Sequence, residues 1–562
     1  MARKSLIGGL GELNNKLQDL NLLNTLKTAK PSSTLRGNNI SSIIEQIRIN
    51  VEKHLGKFKD RITVIRDETT LTQYFDKATD CGYMAIDTET DGLDCLENHV
   101  VGSCLYVPGE KGVYVPHRHK SYITGQLLNN QISAEFMHEQ FKRLEDNNVK
   151  LIFHNAKFDM RIINSNFHVY LTPYWDTMIA AKLLNNLEGA SLKEQYALHI
   201  LHTDKEYDFS SLFKNIEYAM CPVEIAAMYA ATDSVITWDL MQWQIEQFKP
   251  LPQLYNLFMT VEMPLIRVVC DMEDVGVALD FDYAKQLSVK YTKLLDEALK
   301  DVYEELDKYK DRINLYKSKF PACKLSDPIN VGSPAQLATF LYDVLQIQPV
   351  DKKAPRGTGE EILEKINLPI CAKILKYREL DKLLGTYVDK MPAIVDIQDK
   401  RVHTSFNQCG ADTGRFSSNS PNLQNIPSSN HDIRKMFKAT DGYYLLGSDY
   451  SQQEPKLLTF YTKDPDMVSA YDNNRDLYAT VASLAFDKPY EDCLEFYPEG
   501  TEITVKGKKV ITGHKTHTNE EGKKRRSAAK SILLGRPKGY IMPPYMATYI
   551  ENNVNCTTKQ VS

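Results

Sequence analysis

Between about residue 60 and residue 250, short apolar runs alternate with amphipathic stretches, and this alternation restricts the fold of the chain more than any other feature. Ile62-Thr63-Val64-Ile65 is strand-like and Thr70 to Ala78 helix-like, and Tyr83-Met84-Ala85-Ile86-Asp87-Thr88-Glu89 is a strand that runs into carboxylates. Val100 to Val107 and Lys111 to Val115 predict a hairpin, Glu135 to Leu144 an amphipathic helix, and Lys150-Leu151-Ile152-Phe153 another buried strand. Helices follow to about Gln247. Elements in this order predict an α/β domain built on a mixed sheet.

Three places in that stretch carry chemistry. Asp87 and Glu89 are two apart on a strand, so both carboxylates point to one face. His154-Asn155-Ala156-Lys157-Phe158-Asp159 follows a strand and sets a third carboxylate at the start of a helix. Tyr229 and Asp233 are four apart within Ala226–Leu240 and share a helix face. Four carboxylates that converge repel one another unless cations neutralise them. Two divalent ions about 4 Å apart are the usual solution, clamping the attacking and leaving oxygens of a phosphodiester. Each pattern is common by itself, and only the three in order carry weight.

A second informative stretch runs from Gly410 to Glu454. Thr413-Gly414-Arg415 and Ser417-Ser418-Asn419-Ser420 are polar and basic, suited to gripping phosphate or sugar. Pro421-Asn422-Leu423-Gln424-Asn425-Ile426-Pro427 holds amides between two stiffening prolines. Tyr443-Tyr444-Leu445-Leu446-Gly447-Ser448-Asp449 then predicts a buried strand presenting Asp449 at its end. A strand-end aspartate beside a basic loop suits a metal and a triphosphate.

TGRFSS, PNLQNIP and Asp449-Tyr450-Ser451-Gln452-Gln453-Glu454 together resemble family A DNA polymerases of the DNA polymerase I type. DTETDGLD, HNAKFD and YAATD resemble the DEDD-type 3′–5′ proofreading exonuclease domain, in its tyrosine form. The resemblance covers roughly residues 61 to 535, including Val261-Glu262-Met263-Pro264-Leu265, Asp274 to Asp280, and thumb-like helices over 283–312 and from Ser333 onward. It implies a ribonuclease H-like exonuclease domain followed by an incomplete α+β polymerase domain with thumb, part of the palm and the start of the fingers. The implied organisation is a polar extension and linker over 1–60, the exonuclease over 61–250, the polymerase part over 251–535 and a divergent tail over 536–562.

The resemblance also implies roles. Asp87, Glu89, Asp159 and Asp233 hold two Mg²⁺ or Mn²⁺ ions, Tyr229 orients the attacking water, and Asn155 helps shape the site on the DNA side. Asp449, helped by the Tyr450 carbonyl, binds Mg²⁺ in a completed polymerase site, and Glu454 rejects a ribose 2′-hydroxyl. Arg526 and Lys530, one turn apart in the fingers-like Arg525-Arg526-Ser527-Ala528-Ala529-Lys530, take the phosphates of a dNTP. Arg415, Gln424, Asn425 and Arg434 contact a primer–template, and the single-stranded 3′ end goes to the exonuclease.

The match stops after Gly535. The family's tyrosine position is Lys538, Pro537 and Pro543-Pro544 break the helix, and no His-Asp-Glu-like motif follows to supply the palm's second carboxylate. Three expectations follow. The chain is a replicative family A polymerase completed by a second chain, or one whose gene is interrupted. Alternatively it is a stand-alone DNA 3′–5′ exonuclease on a polymerase-inactive, DNA-holding platform. The third is a non-catalytic DNA-binding relic, against which the intact exonuclease motifs count.

At 562 residues the chain is long enough for three or more domains. A net charge of −5 leaves DNA binding to local patches, Arg434-Lys435 with Lys438, and Lys506 to Lys530. Ten scattered cysteines without a CxxC pair predict free thiols in a reducing cytoplasm, or the host cytoplasm for a viral chain. No apolar run follows Met1-Ala2-Arg3-Lys4 and none is long enough for a bilayer, so no membrane is expected. Residues 1–60 carry leucines at 10, 13, 17 and 20 in helical spacing, and Pro31 to Ser42 predicts a linker. The segment is too short for the 5′-nuclease domain of some relatives, so that activity is expected to be absent.

Overall fold

The computed structural model describes residues 37–203, 213, 216–396, 398–411, 413–427, 430–505 and 508–535. The expected leucine helix at 10–20, Lys506 and the tail beyond Gly535 lie outside the described residues. Two compact units divide the chain, one ending at Tyr443 and the other beginning at Tyr444.

The first unit is organised by a six-stranded sheet: β1 (Ile62–Val64), β2 (Tyr83–Thr90), β3 (Val100–Tyr106), β4 (Gly112–Pro116), β5 (Lys150–Phe153) and β6 (Pro173–Asp176), in the order β1-β4-β3-β2-β5-β6. β1 runs parallel to β4, and β2, β5 and β6 are mutually parallel. β3 is antiparallel to both its neighbours, so the sheet is mixed as expected. Burial of both faces explains why β3 and β4 read as continuous apolar runs rather than alternating ones.

One face is covered by α2 (Glu68–Cys81), α3 (Ala134–Asp146) and α4 (Ala156–Phe167) through Leu71, Phe75, Met137, Phe141, Met160 and Ile163. After β6 come α5 (Thr177–Leu184) and α6 (Leu192–His199), then α7 (Val223–Phe248), which crosses the sheet. α7 is buried on almost every side, the mark of a helix enclosed by the rest of the domain. Small residues let it approach closely. A Cβ at Gly112 of β4 would stand 2.6 Å from Val235 and 3.0 Å from the Ala231 carbonyl. That close approach brings the α7 side chains to the strand ends.

The structure corrects the expected linker over Pro31 to Ser42, because a helix, α1 (Gly37–Leu55), begins inside it. Ile44, Ile47, Val51 and Leu55 recur every three or four residues and are buried in one cluster with Ala227, Ala230 and Ala231 of α7. Each such side chain contributes on the order of 1.5–3 kcal/mol when fully buried, which outweighs the polar composition around them.

Beyond α7, α8 (Met263–Val275) gives Met263, Ile266 and Cys270 to the core of the sheet domain and ends at Gly276. β7 (Val277–Leu279) starts a small sheet between β8 (Arg401–Val402) and β11 (Phe437–Lys438), while β9 (Ser405–Asn407) pairs with β10 (Ser417–Asn419). The expected long helical stretch forms as α9 (Phe281–Asp307), packed with α10 (Pro369–Leu383) around Leu295, Val302, Ile370 and Ile374. Ser333 caps the helix at Pro334–Ala338, as its position before the proline suggests.

The second unit contains α11 (Gln453–Thr462), α12 (Leu477–Phe486), the expected hairpin of β12 (Glu502–Val505) and β13 (Lys508–Ile511), and α13 (Glu520–Gly535). Here the structure corrects the expected buried strand presenting Asp449. Tyr443 to Asp449 is not a strand and is not buried: Tyr444 is 97% exposed and Leu446 95%. Apolar content favours a strand only where a neighbour satisfies its backbone, and among the described residues no strand pairs with this run.

Candidate active site

The sheet and α7 assemble an acidic centre. Asp87 and Glu89 lie on β2 opposite Cys104 and Gly102 of β3, and the strand's two-residue period sets both carboxylates together. α7 brings Asp233 to them, so that one oxygen from each of Asp87, Glu89 and Asp233 lies within 4.8 Å of the others. Asp159, in the first turn of α4, is buried but stands outside that triangle, its Oδ1 accepting a hydrogen bond of 2.7 Å from Thr88 Oγ1. Tyr229 precedes Asp233 by one turn of α7.

The charges are mutually destabilising. Burial, then the Asp233 carboxylate, pushes Asp87 up to about 7. Burial and then Asp87 raise both Glu89 and Asp159 well above the carboxylate range. Burial raises Asp233 too, with Lys193 pulling the other way. Lys193, on α6, donates from Nζ to Asp233 Oδ2 at 2.7 Å and stands 4.0 Å from the centre of the Tyr229 ring. Burial opposes its charge, but Asp233 and Tyr229 together more than offset this and the ammonium is held protonated. Tyr229 is raised by burial and then by Asp233, so its hydroxyl keeps its proton at neutral pH.

These residues fit a divalent cation. Asp233 Oδ1 is buried and has no hydrogen-bond partner, an arrangement that costs about 1–3 kcal/mol or more unless something positive meets it. The neighbouring carboxylates are raised by burial first and by one another second.

The turn into α4 explains how Asp159 is aimed. Asn155 has a left-handed backbone, φ 71°. The N–H groups of Asn155 and Ala156 donate to Asp176 at 3.2 and 2.7 Å, and Met178 and Ile179 donate to the same carboxylate at 2.8 and 3.2 Å. Asp176 therefore ties the starts of α4 and α5 together.

α4 is also fixed from its other side. Lys157 and Arg161 flank Asp159 in sequence and reach Glu273 of α8 at 2.5 and 2.6 Å. Glu273 is completely buried and takes a further hydrogen bond from the Phe406 N–H.

Sequence reading passed over Thr88, Asp176 and Lys193. Asp176-Thr177 before an apolar helix carries an N-cap signal that points to the second. Ser191-Leu192-Lys193-Glu194 reads only as a capped helix start, and nothing local marks its lysine.

The remaining expected residues fall in two groups. In the first unit, Arg415, Gln424, Asn425 and Arg434 are all exposed. The Pro421–Pro427 segment is held by Gln424 N–H donating to Ser418 Oγ, by Asn425 N–H donating to Asn422 Oδ1, and by Tyr387 donating to the Asn425 carbonyl. It borders a cleft of about 500 Å³ lined also by Lys382 and Lys390.

In the second unit, Asp449 and Tyr450 are exposed in the irregular run, and the only tight group of three metal-ligating side chains among the described residues is the Asp87, Glu89, Asp233 set. Arg526 is engaged by Asp476 at 2.9 Å and Glu495 at 3.4 Å, with its guanidinium 5.2 Å from the Tyr478 ring and Lys530 at 5.9 Å. Glu454 is near enough to act on Tyr478, whose hydroxyl is raised by burial first, with Arg526 opposing and Glu454 adding.

A partly buried carboxylate cluster on a mixed sheet crossed by such a helix suits a nuclease domain, and residues 62–243 match the family profile of the 3′-5′ exonuclease. Residues 296–495 match DNA polymerase family A, so the chain carries a region of each kind in succession.

It is 32% identical over 441 residues to DNA polymerase I of Chloroflexus aurantiacus, covering 76% of this chain and 44% of that protein. To DNA polymerase I of Borreliella burgdorferi it is 30% identical over 409 residues, 72% of this chain and 42% of the relative. The chain thus spans less than half the length of these curated relatives. Among solved structures it resembles the POL domain of Pol1 from M. smegmatis, in complex with DNA primer-template and dNTP, at 20% identity and a TM-score of 0.65 over 89% of this chain and 74% of that one. That likeness concerns the fold.

Proposed function

We propose that the chain acts on DNA as a metal-dependent 3′–5′ exonuclease that removes nucleotides from single-stranded 3′ ends. The observation that carries this reading is the triangle of Asp87, Glu89 and Asp233 with the unpartnered, buried Asp233 Oδ1. Asp87, Glu89 and Asp233, with Asp159 beside them, would hold two Mg²⁺ or Mn²⁺ ions. When bound, such ions neutralise the charge that builds on a phosphodiester during hydrolysis and activate water. Tyr229, protonated and one turn from Asp233, would orient an attacking water.

The test is release of nucleoside monophosphates from a 3′-labelled single strand with Mg²⁺ or Mn²⁺. The double variant Asp87→Ala, Glu89→Ala should lose activity by orders of magnitude while keeping its melting transition. Degradation at the parent rate would remove this site from consideration. Tyr229→Phe should cost less, because it loses only an orienting contact.

A second reading, template-directed nucleotidyl transfer in DNA replication, is favoured by the gathering of Glu454, Arg526 and Lys530 around Tyr478. In it these groups receive a dNTP, Asp449 and Tyr450 contribute to a Mg²⁺ site, and Arg415, Gln424, Asn425 and Arg434 hold the primer–template through phosphate and sugar contacts. The lysine-lined cleft beside Asn425 supports backbone gripping. Binding of a dNTP that is unchanged in Lys530→Ala would count against the nucleotide assignment.

A further inference from the structure

Lys193 is not among the candidate metal ligands, yet its ammonium is bound directly to one of them, Asp233. Its side chain is only 18% exposed. Desolvating a lysine is expensive, and its Nζ makes two contacts, both within the site: Asp233 Oδ2 and the face of Tyr229. The split of Asp233 is the informative detail. Oδ2 is taken by Lys193 and Oδ1 is buried without a hydrogen-bond partner, in a carboxylate that brings one oxygen within 4.8 Å of Asp87 and Glu89.

We propose that Lys193 is a resident counter-cation and positioning residue of the exonuclease centre: it neutralises Asp233 from one side, leaves Oδ1 for a metal ion, and holds Tyr229 against the same carboxylate. The inference rests on the reading of this centre as a metal site. One positive charge among four carboxylates keeps the centre folded when no metal is bound. The same charge repels an incoming divalent ion, so Lys193 lowers metal affinity while it stabilises the empty site.

The experiment is Mn²⁺ titration by calorimetry, together with thermal melting in EDTA, on the full chain and on Lys193→Met, Lys193→Gln and Lys193→Arg. Lys193→Met and Lys193→Gln should each bind Mn²⁺ roughly tenfold tighter or more. Each should also melt a few degrees lower in EDTA, with the difference shrinking when Mn²⁺ saturates the site. Lys193→Arg should behave as the parent does, since it keeps the charge. Because Lys193→Gln keeps a polar stem and loses only charge, parent-like behaviour in that variant would overturn the counter-cation role. So would unchanged or weaker Mn²⁺ affinity in Lys193→Met. If the parent itself binds no Mn²⁺, the metal-site reading fails and takes this inference with it. If the parent binds and all three variants match it, only the role of Lys193 is lost.

Discussion

Asp87 is one residue through which pH acts on this protein. Its folded carboxyl is raised from 3.8 to about 7 by burial and then by Asp233, so the folded state holds a proton that the unfolded state gives up. Stability from this group is fully present below about pH 4 and is lost as pH rises to about 7. Without metal the melting temperature should therefore fall between pH 5 and pH 8, and Asp87→Asn should flatten the slope. Saturating Mg²⁺ should flatten it too, by replacing the proton as the compensating charge. Melts in EDTA and in Mg²⁺ across that range decide the matter, and a melting temperature that rises with pH in EDTA would contradict the coupled cluster. Thr88 gives a second test at this scale. Thr88→Val removes the donor to buried Asp159 and should destabilise the fold by about 1–3 kcal/mol in denaturant melts.

At the scale of elements, Asp176 joins two helices that carry nothing in common except their starting point. Four N–H groups converge on its carboxylate, so Asp176→Ala should cost about 2–4 kcal/mol, as loss of a buried cap serving two helices. It should also slow nucleotide release by loosening Asp159. A variant as stable as the parent would show that the turn holds itself.

The pattern of what sequence reveals follows from range. Asp87 with Glu89, and Tyr229 with Asp233, are short-range pairs whose common face is dictated by strand and helix periods, and the structure brings Asp87, Glu89 and Asp233 together. Thr88 with Asp159 and Lys193 with Asp233 are 71 and 40 residues apart, and no local pattern encodes such a partnership. Tyr443 to Asp449 fails for the converse reason. Its local signal is strong, but a strand is a property of two segments, and the described residues provide only one. The helix at Gly37–Leu55 was hidden by serines and asparagines around an isoleucine stripe that needed α7 to make it useful.

Over the whole molecule, the exposed run between the units should be the first place a protease cuts. Chymotrypsin should cleave among Tyr443, Tyr444, Leu445 and Leu446, which are exposed and irregular, and mass spectrometry of the fragments reads the site. First cuts inside α7 or α9 would contradict it. Asp449→Ala, in the second unit, should leave degradation of a single strand unaltered. Glu273→Ala should destabilise the first unit by about 3–5 kcal/mol, because Lys157 then loses its buried counter-charge and Arg161 is left with Asp274 alone. Equilibrium unfolding measures that loss, and a change below about 1 kcal/mol would contradict the network.

The position of Glu273 bears on how this sheet domain could be moved or inherited. The helix that aims Asp159 is bolted, through Lys157 and Arg161, to a carboxylate 25 residues past α7, and through Lys157 to the Phe406 carbonyl. A graft cut after Phe248 would leave those two cations stranded at a new surface. The unit that can be transplanted, or exchanged by recombination without repair elsewhere, extends at least to Val275 and brings the Ser405-Phe406 strand with it. A lineage that swaps polymerase frameworks beneath a fixed exonuclease must carry that carboxylate across the junction or redesign the face of α4 that meets it.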